Sequence, residues 1–174
     1  MKRILIVVDY QNDFVDGALG FPGAELLDEG ISRKICEYQD RGDHVVYTLD
    51  THQENYLATE EGHNLPVEHC LFGSNGHAIY GKTGLLSKGG RFFLKDTFGS
   101  RELLSFLAEG AYDEVELVGL VSNICVLSNA VIAKTALPNA KIIVDAACTS
   151  SFDPVLHEKA MDVLAGIQVS VIHR

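Results

Sequence analysis

Gly119-Leu120-Val121-Ser122-Asn123-Ile124-Cys125-Val126 follows an apolar run that carries Val115, Leu117 and Val118. The run reads as a buried strand. The Gly/Ser/Asn turn ends it, and the cysteine stands at the mouth of the helix that follows. Strand, short turn and helix in that order belong to α/β proteins. The partial positive charge of a helix N-terminus favours thiolate, which makes Cys125 a candidate nucleophile. The plainer reading is a small buried hydrophobe, since free cysteines are often core residues.

Two further polar residues end apolar runs. Asp9 follows Ile4-Leu5-Ile6-Val7-Val8, and Lys95 follows Phe92-Phe93-Leu94. In an open α/β sheet the strand ends converge on one crevice. A carboxylate, an ammonium and a thiol gathered there make a nucleophilic site. Taken singly, Asp9 also suits a turn and Lys95 a solvated strand end.

The rest of the chain extends the alternation. Strands are expected over residues 2–9, 44–50, 91–95, 114–120, 141–145 and 169–172. Leu27, Ile31, Ile35 and Tyr38 share one helical face, with Gly42 as the stop. Further helices are expected over 100–108, with Gly110 as the stop, and over 123–135, apolar nearly all round and therefore buried. Asp153-Pro154 starts a last helix as cap and first-turn proline, and Gly166 ends it. No helix is expected soon after Asp9. Residues 51–90 show little periodicity and are expected to form a loop, one long enough to suggest function. The pattern argues α/β with a mainly parallel sheet, in a single domain over 1–174.

The net charge of −10 argues against nucleic acid and anionic membrane surfaces as partners. The apolar run at the N-terminus is too short for a signal peptide, and no run nears the ~20 residues of a membrane span. Cys36, Cys70, Cys125 and Cys148 show no paired spacing, which fits reduced thiols in a cytoplasmic protein. Cys36 lies within a helix; Cys70 and Cys148 lie in or near loops.

Asp50-Thr51-His52 places a carboxylate and an imidazole on alternate residues, able to face the same side of an extended segment. His63, His69 and Cys70 follow, and Glu60 and Glu61 offer further oxygens. Such donors suit a divalent metal, Zn, Fe or Mn; the alternative is a polar surface loop that happens to hold histidines. Gly76-His77-Ala78-Ile79-Tyr80-Gly81-Lys82-Thr83 fits the P-loop pattern, but the required strand before it and helix after it are missing from the pattern. No GxGxxG follows the first strand, so neither nucleotide nor dinucleotide binding is supported.

With these residues assembled, the chain resembles the isochorismatase-like cysteine hydrolases, and their nicotinamidase branch in particular. Asp9-Tyr10-Gln11-Asn12-Asp13-Phe14 resembles the opening D-x-Q-N-D-F, Asp50-Thr51-His52 the D-x-H metal pair, and His69-Cys70 the segment that supplies another histidine. Lys95 falls at the family's catalytic lysine and Gly119 to Val126 at its nucleophile turn. Val144 to Cys148, Asp153-Pro154 and His157 resemble the closing segment. The resemblance implies a three-layer α/β/α sandwich around a six-stranded, mainly parallel sheet. It implies a triad of Asp9, Lys95 and Cys125. It also implies a cis peptide between Leu120 and Val121, with the N–H groups of Val121 and Cys125 as the oxyanion hole. The implied metal set is Asp50, His52, His69 and Glu61 or Glu60.

The implied reaction is hydrolysis of a small carboxamide, nicotinamide first, to acid and ammonia through a thioester, a step of NAD salvage. The expected partner is that small amide, with room for a homo-oligomer. One tension accompanies the resemblance: Ser122, as an N-cap, would occupy the Cys125 N–H. The pocket also departs from the nicotinamidase pattern. Leu65 stands where an aromatic stacks on the ring, and Ile124 precedes the nucleophile, while Phe14 keeps the other aromatic. Two alternatives stand beside the amidase. One is an isochorismatase-type or other cysteine hydrolase with a different small substrate; the other is a silent family member serving as an interaction module.

Overall fold

The computed structural model describes residues 1–174. Strand β1 (Arg3–Val8) leads through a short helix α1 (Asn12–Val15) to helix α2 (Leu27–Asp40) and strand β2 (His44–Asp50). Short helices α3 (Glu60–Asn64) and α4 (Gly81–Leu86) precede β3 (Arg91–Lys95). Helix α5 (Arg101–Gly110), β4 (Glu114–Leu120), α6 (Leu127–Ala136), β5 (Lys141–Ser150), α7 (Pro154–Gly166) and β6 (Ser170–Ile172) complete the order.

The six strands form one sheet in the order β3-β2-β1-β4-β5-β6, with every pairing parallel. Parallel pairing buries both faces, and β1 shows it. Ile4, Ile6 and Val8 pack into one apolar cluster with Leu103, Leu107, Val126 and Leu164; Leu5 and Val7 pack into another with Ile31, Ile35 and Tyr47. Helices therefore cover both faces and the architecture is α/β/α. From β1 the chain proceeds to one side of the sheet and from β4 to the other. The switch point between these two strands opens the crevice at their C-terminal ends. Gly119 has φ +111°, and a Cβ there would stand 2.0 Å from the Val8 carbonyl oxygen, so only glycine lets β4 approach β1 at the crevice. No helix is long and apolar enough to cross a membrane.

Several elements differ from expectation. A helix, α1, does follow Asp9 closely, and Asp9 itself has φ +44°. Residues 51–90 contain α3, α4 and a 3₁₀ turn (Tyr56–Ala58). These are too short to show periodicity and are fixed by caps: Thr59 Oγ1 accepts from Gly62 N–H, and Asp28 accepts from Lys82 and Thr83 N–H at α4. In the P-loop-like segment the N–H groups of Lys82 and Thr83 are thus taken by a side chain of the protein itself. Helix α5 runs through Gly110, where a Cβ would meet the Tyr112 ring at 2.3 Å, and Ala111 takes the left-handed position. Strand β5 continues past Asp145 to Ser150; an irregularity in its pairing with β4 interrupts the apolar pattern, and Cys148 lies buried within the strand. The helix that follows β4 begins as a π-turn over Ser122–Val126, with α6 starting only at Leu127. It is not buried all round: Val131 is exposed.

Candidate active site

Three strand ends deliver the expected side chains to the crevice. Asp9, Lys95 and Cys125 are all buried. Asp9 Oδ2 lies 2.6 Å from Lys95 Nζ, and Lys95 Nζ lies 3.5 Å from Cys125 Sγ. Thr48, the β2 register partner of Val8, donates its hydroxyl to Asp9 Oδ1 at 2.6 Å. The Lys95 ammonium also donates to the Thr97 carbonyl at 3.0 Å and to Asp50 Oδ1 at 3.3 Å. The Leu120–Val121 peptide is cis. Ser122 does not cap Cys125: its hydroxyl is 2.9 Å from His157 Nδ1 on α7, which removes the tension.

Electrostatics here differ from the simple helix-mouth picture. Burial pushes the Cys125 thiol well above its ordinary pKa; Lys95 pulls it down, but less. The balance of these influences is thus toward the neutral thiol. Burial raises Asp9 as well, against the opposing pull of Lys95. Burial would lower Lys95, yet the charges of Asp9 and its neighbours raise it well above its usual value, so it remains an ammonium.

Beside this trio, Asp50, His52, Glu61 and His69 each offer one ligand atom, all within 4.8 Å of one another. His52 Nε2 is 3.0 Å and His69 Nε2 is 3.3 Å from Asp50 Oδ2, and Glu61 Oε1 is 3.7 Å and 3.8 Å from the same two nitrogens. His69 Nδ1 lies 2.8 Å from the Val67 carbonyl and so donates to it, which turns Nε2 toward the carboxylates. Two ring nitrogens and two carboxylates gathered this closely call for positive charge among them, and a divalent cation fits this donor set. Burial would raise Asp50, but hydrogen bonds with His52 and His69 and the charge of Lys95 hold it well below the carboxylate range. Glu60 is exposed and interacts with Asn64, away from the cluster. His63 is exposed, and Cys70 is buried with its thiol pushed far up, mainly by burial.

The opening segment holds this region together. Gln11 Oε1 accepts from Asp50 N–H at 2.8 Å, and its amide donates to the Asp50 and His77 carbonyls, each at 2.9 Å. Asn12 donates to the Asn75 carbonyl, and Asp13 accepts from Cys70 N–H at 2.7 Å. Three consecutive side chains after β1 thus pin the 51–90 segment and set His69 against Asp50. In the sequence they belong to the opening motif, with no contacts assigned to them.

A cavity of about 600 Å³ adjoins both groups. Cys125, Asp50 and His69 line its polar end; Phe14, Leu65, Val121 and Ile124 line its apolar walls. Phe98 and Phe152 also face it, and sequence reading missed both. They stand in connecting segments with no local pattern; the only available signal was a large aromatic beside a strand end. A second cavity, of about 840 Å³ and lined mainly by polar residues, includes His52 and Glu61 and shares Glu61, Asn64 and Phe98 with the first.

The geometry agrees with comparison to known proteins. The isochorismatase domain model matches residues 3–173. An isochorismatase family protein of Bacillus subtilis, PncA, is 32% identical over 98% of this chain and 100% of its own length. The nicotinamidase/pyrazinamidase of Mycobacterium tuberculosis is 31% identical over 74% of this chain and 76% of its own. Among solved structures, nicotinamidase/pyrazinamidase PncA from Bacillus subtilis superposes with a TM-score of 0.87 at 28% identity, over 98% of this chain and 99% of that one. The chain belongs to the isochorismatase domain family, with nicotinamidases among its relatives.

Proposed function

We propose that the chain, as one domain over 1–174, is a metal-assisted cysteine amidohydrolase that cleaves a small carboxamide to acid and ammonia, with nicotinamide the leading substrate. The observation that carries this reading is the Asp9–Lys95–Cys125 cluster opening onto an apolar cavity beside the four-ligand set. Cys125 Sγ attacks the amide carbon while its proton passes to Asp9. The Val121 and Cys125 N–H groups receive the oxyanion, an effect worth about 3 kcal/mol per donor in comparable sites. The C–N bond then breaks and Asp9 returns the proton to departing ammonia. Water, deprotonated by Asp9, hydrolyses the thioester, and the sulfur recovers its proton as the acid leaves. Lys95 stays charged throughout and stabilises both the Asp9 carboxylate and the developing thiolate.

Asp50, His52, Glu61 and His69 would hold the cation; when bound, it supplies a Lewis acid for a ring nitrogen or a water at the cavity's polar end. The relatives named as nicotinamidases support the substrate. Leu65 removes one stacking partner, a loss of about 0.5–1.5 kcal/mol, while Phe14, Phe98 and Phe152 keep aromatic surface on the cavity. We place the activity in the cytoplasm, in keeping with four free cysteines.

The test is ammonia release and kcat/KM for nicotinamide, pyrazinamide and short aliphatic amides. Nicotinamide should be among the best. Background turnover of nicotinamide beside Cys125-dependent hydrolysis of an aliphatic amide would refute the substrate and keep the amidase. Elemental analysis should find close to one equivalent of Zn, Fe or Mn, lost in His52→Ala; negligible metal in both proteins would refute the metal role.

A further inference from the structure

We propose that Asn129 is a positioning residue that fixes the separation between the nucleophile's turn and the Phe98 wall of the substrate cavity; the inference rests on the cysteine hydrolase reading above. Asn129 is fully buried on α6, one helical turn beyond Cys125. Its amide nitrogen donates to the Cys125 carbonyl at 2.8 Å and to the Phe98 carbonyl at 3.1 Å. Its carbonyl oxygen accepts from Ser100 N–H at 3.1 Å. Both donors and the acceptor are used, and no apolar side chain at this core position could do the same. Ser100 in turn caps α5 through Leu103 N–H at 3.1 Å.

The segment held in this way follows β3 directly. It contains Thr97, whose carbonyl receives the Lys95 ammonium, and Phe98, which lines the cavity. It also lies close against α6: a Cβ on Gly99 would stand 2.6 Å from Ile132 Cδ1. One amide therefore joins the strand end that brings the ammonium, the wall that meets the substrate and the turn that carries the sulfur. A misplacement of the order of 1 Å between such groups is costly, up to about a hundredfold in rate.

Asn129→Asp keeps the shape and replaces the donors with an acceptor; Asn129→Ala removes all three bonds. The first readout is alkylation of Cys125 by iodoacetamide, followed by mass spectrometry across pH and normalised to folded protein. The Sγ–C bond forms, the C–I bond breaks, iodide leaves and the thiol proton goes to Asp9. In Asn129→Asp the Cys125 rate should fall about tenfold or more and its pH profile should shift, while exposed Cys36 reacts as in the wild type. KM for the amide should rise by a similar factor. Phe98→Ala, which leaves the backbone bonds to Asn129 in place, should raise KM without moving the pH profile. Should Asn129→Ala fail to fold, Asn129→Asp and Phe98→Ala decide. Cys125 alkylation and KM within twofold of wild type in folded Asn129→Asp would overturn the proposal, as would an unchanged KM in Phe98→Ala. If the wild type hydrolysed no amide, the substrate reading would fall, and the alkylation comparison would still decide the role of Asn129.

Discussion

The molecule contains two lysines, Lys34 half-buried and Lys95 buried, each set between two carboxylates. Lys34, on α2, lies 2.6 Å from Glu116 and 2.6 Å from Asp145. Lys95 lies 2.6 Å from Asp9 and 3.3 Å from Asp50, in the crevice. Around Lys34 every carboxylate oxygen is occupied: Tyr38 donates to Glu116 at 2.7 Å, the Ala147 N–H donates to Asp145 at 3.0 Å, and His173 Nδ1 is 3.0 Å from Asp145. Around Lys95 a thiol and a cavity complete the set. The two aspartates respond in opposite directions. Burial would raise Asp145, but its bonds with Lys34 and His173 outweigh that and hold it low. At Asp9 burial prevails and the carboxyl is raised. The same charge composition thus serves cohesion at one place and leaves a poised base at the other.

The sharpest way to break this contrast is to remove one carboxylate from each cluster. Asp9→Asn should lower kcat/KM by about 10⁴-fold or more, as loss of a residue acting in a catalytic unit does. Activity retained in Asp9→Asn would remove the base from the account.

Lys34→Met tests the other side. It leaves Glu116 and Asp145 buried without their cation and should cost about 3 kcal/mol in denaturant unfolding, with turnover per folded molecule unchanged. A loss below about 0.5 kcal/mol would place the pair among surface ion pairs of little effect.

The smallest effect is in acid. A carboxyl held low contributes stability that is fully present above its unfolded value, about 3.9, and is lost as pH falls through its lower folded value. Wild type should therefore lose stability more steeply than Asp145→Asn below about pH 4. For catalysis the sign reverses: Asp9 must be deprotonated, so the acid limb of kcat/KM should lie above the ordinary carboxylate range. An acid limb at the unshifted value would contradict the raised Asp9.

Much of the crevice was legible in the sequence because parallel strands place their last residues together. Asp9, Lys95 and Cys125 each follow an apolar run, and the three runs proved to be β1, β3 and β4. Asp50 and His52 were legible from their alternate spacing. The rest depends on contacts distant in the chain. Gln11, Asn12 and Asp13 hold residues some 39 to 66 positions away. Asp28 caps α4 from α2. No local pattern announces such bonds. The same holds for the thiol: the helix mouth is a local feature, whereas the burial that raises Cys125 comes from the whole crevice.

The central claim is that Cys125 carries the acyl group. Its most direct test is rapid acid quench of the wild-type protein during nicotinamide turnover, with ammonia release measured alongside mass spectrometry of the Cys125 peptide. The account predicts ammonia release together with an acyl adduct on Cys125, and neither in Cys125→Ala. Wild-type ammonia release by Cys125→Ala would contradict it.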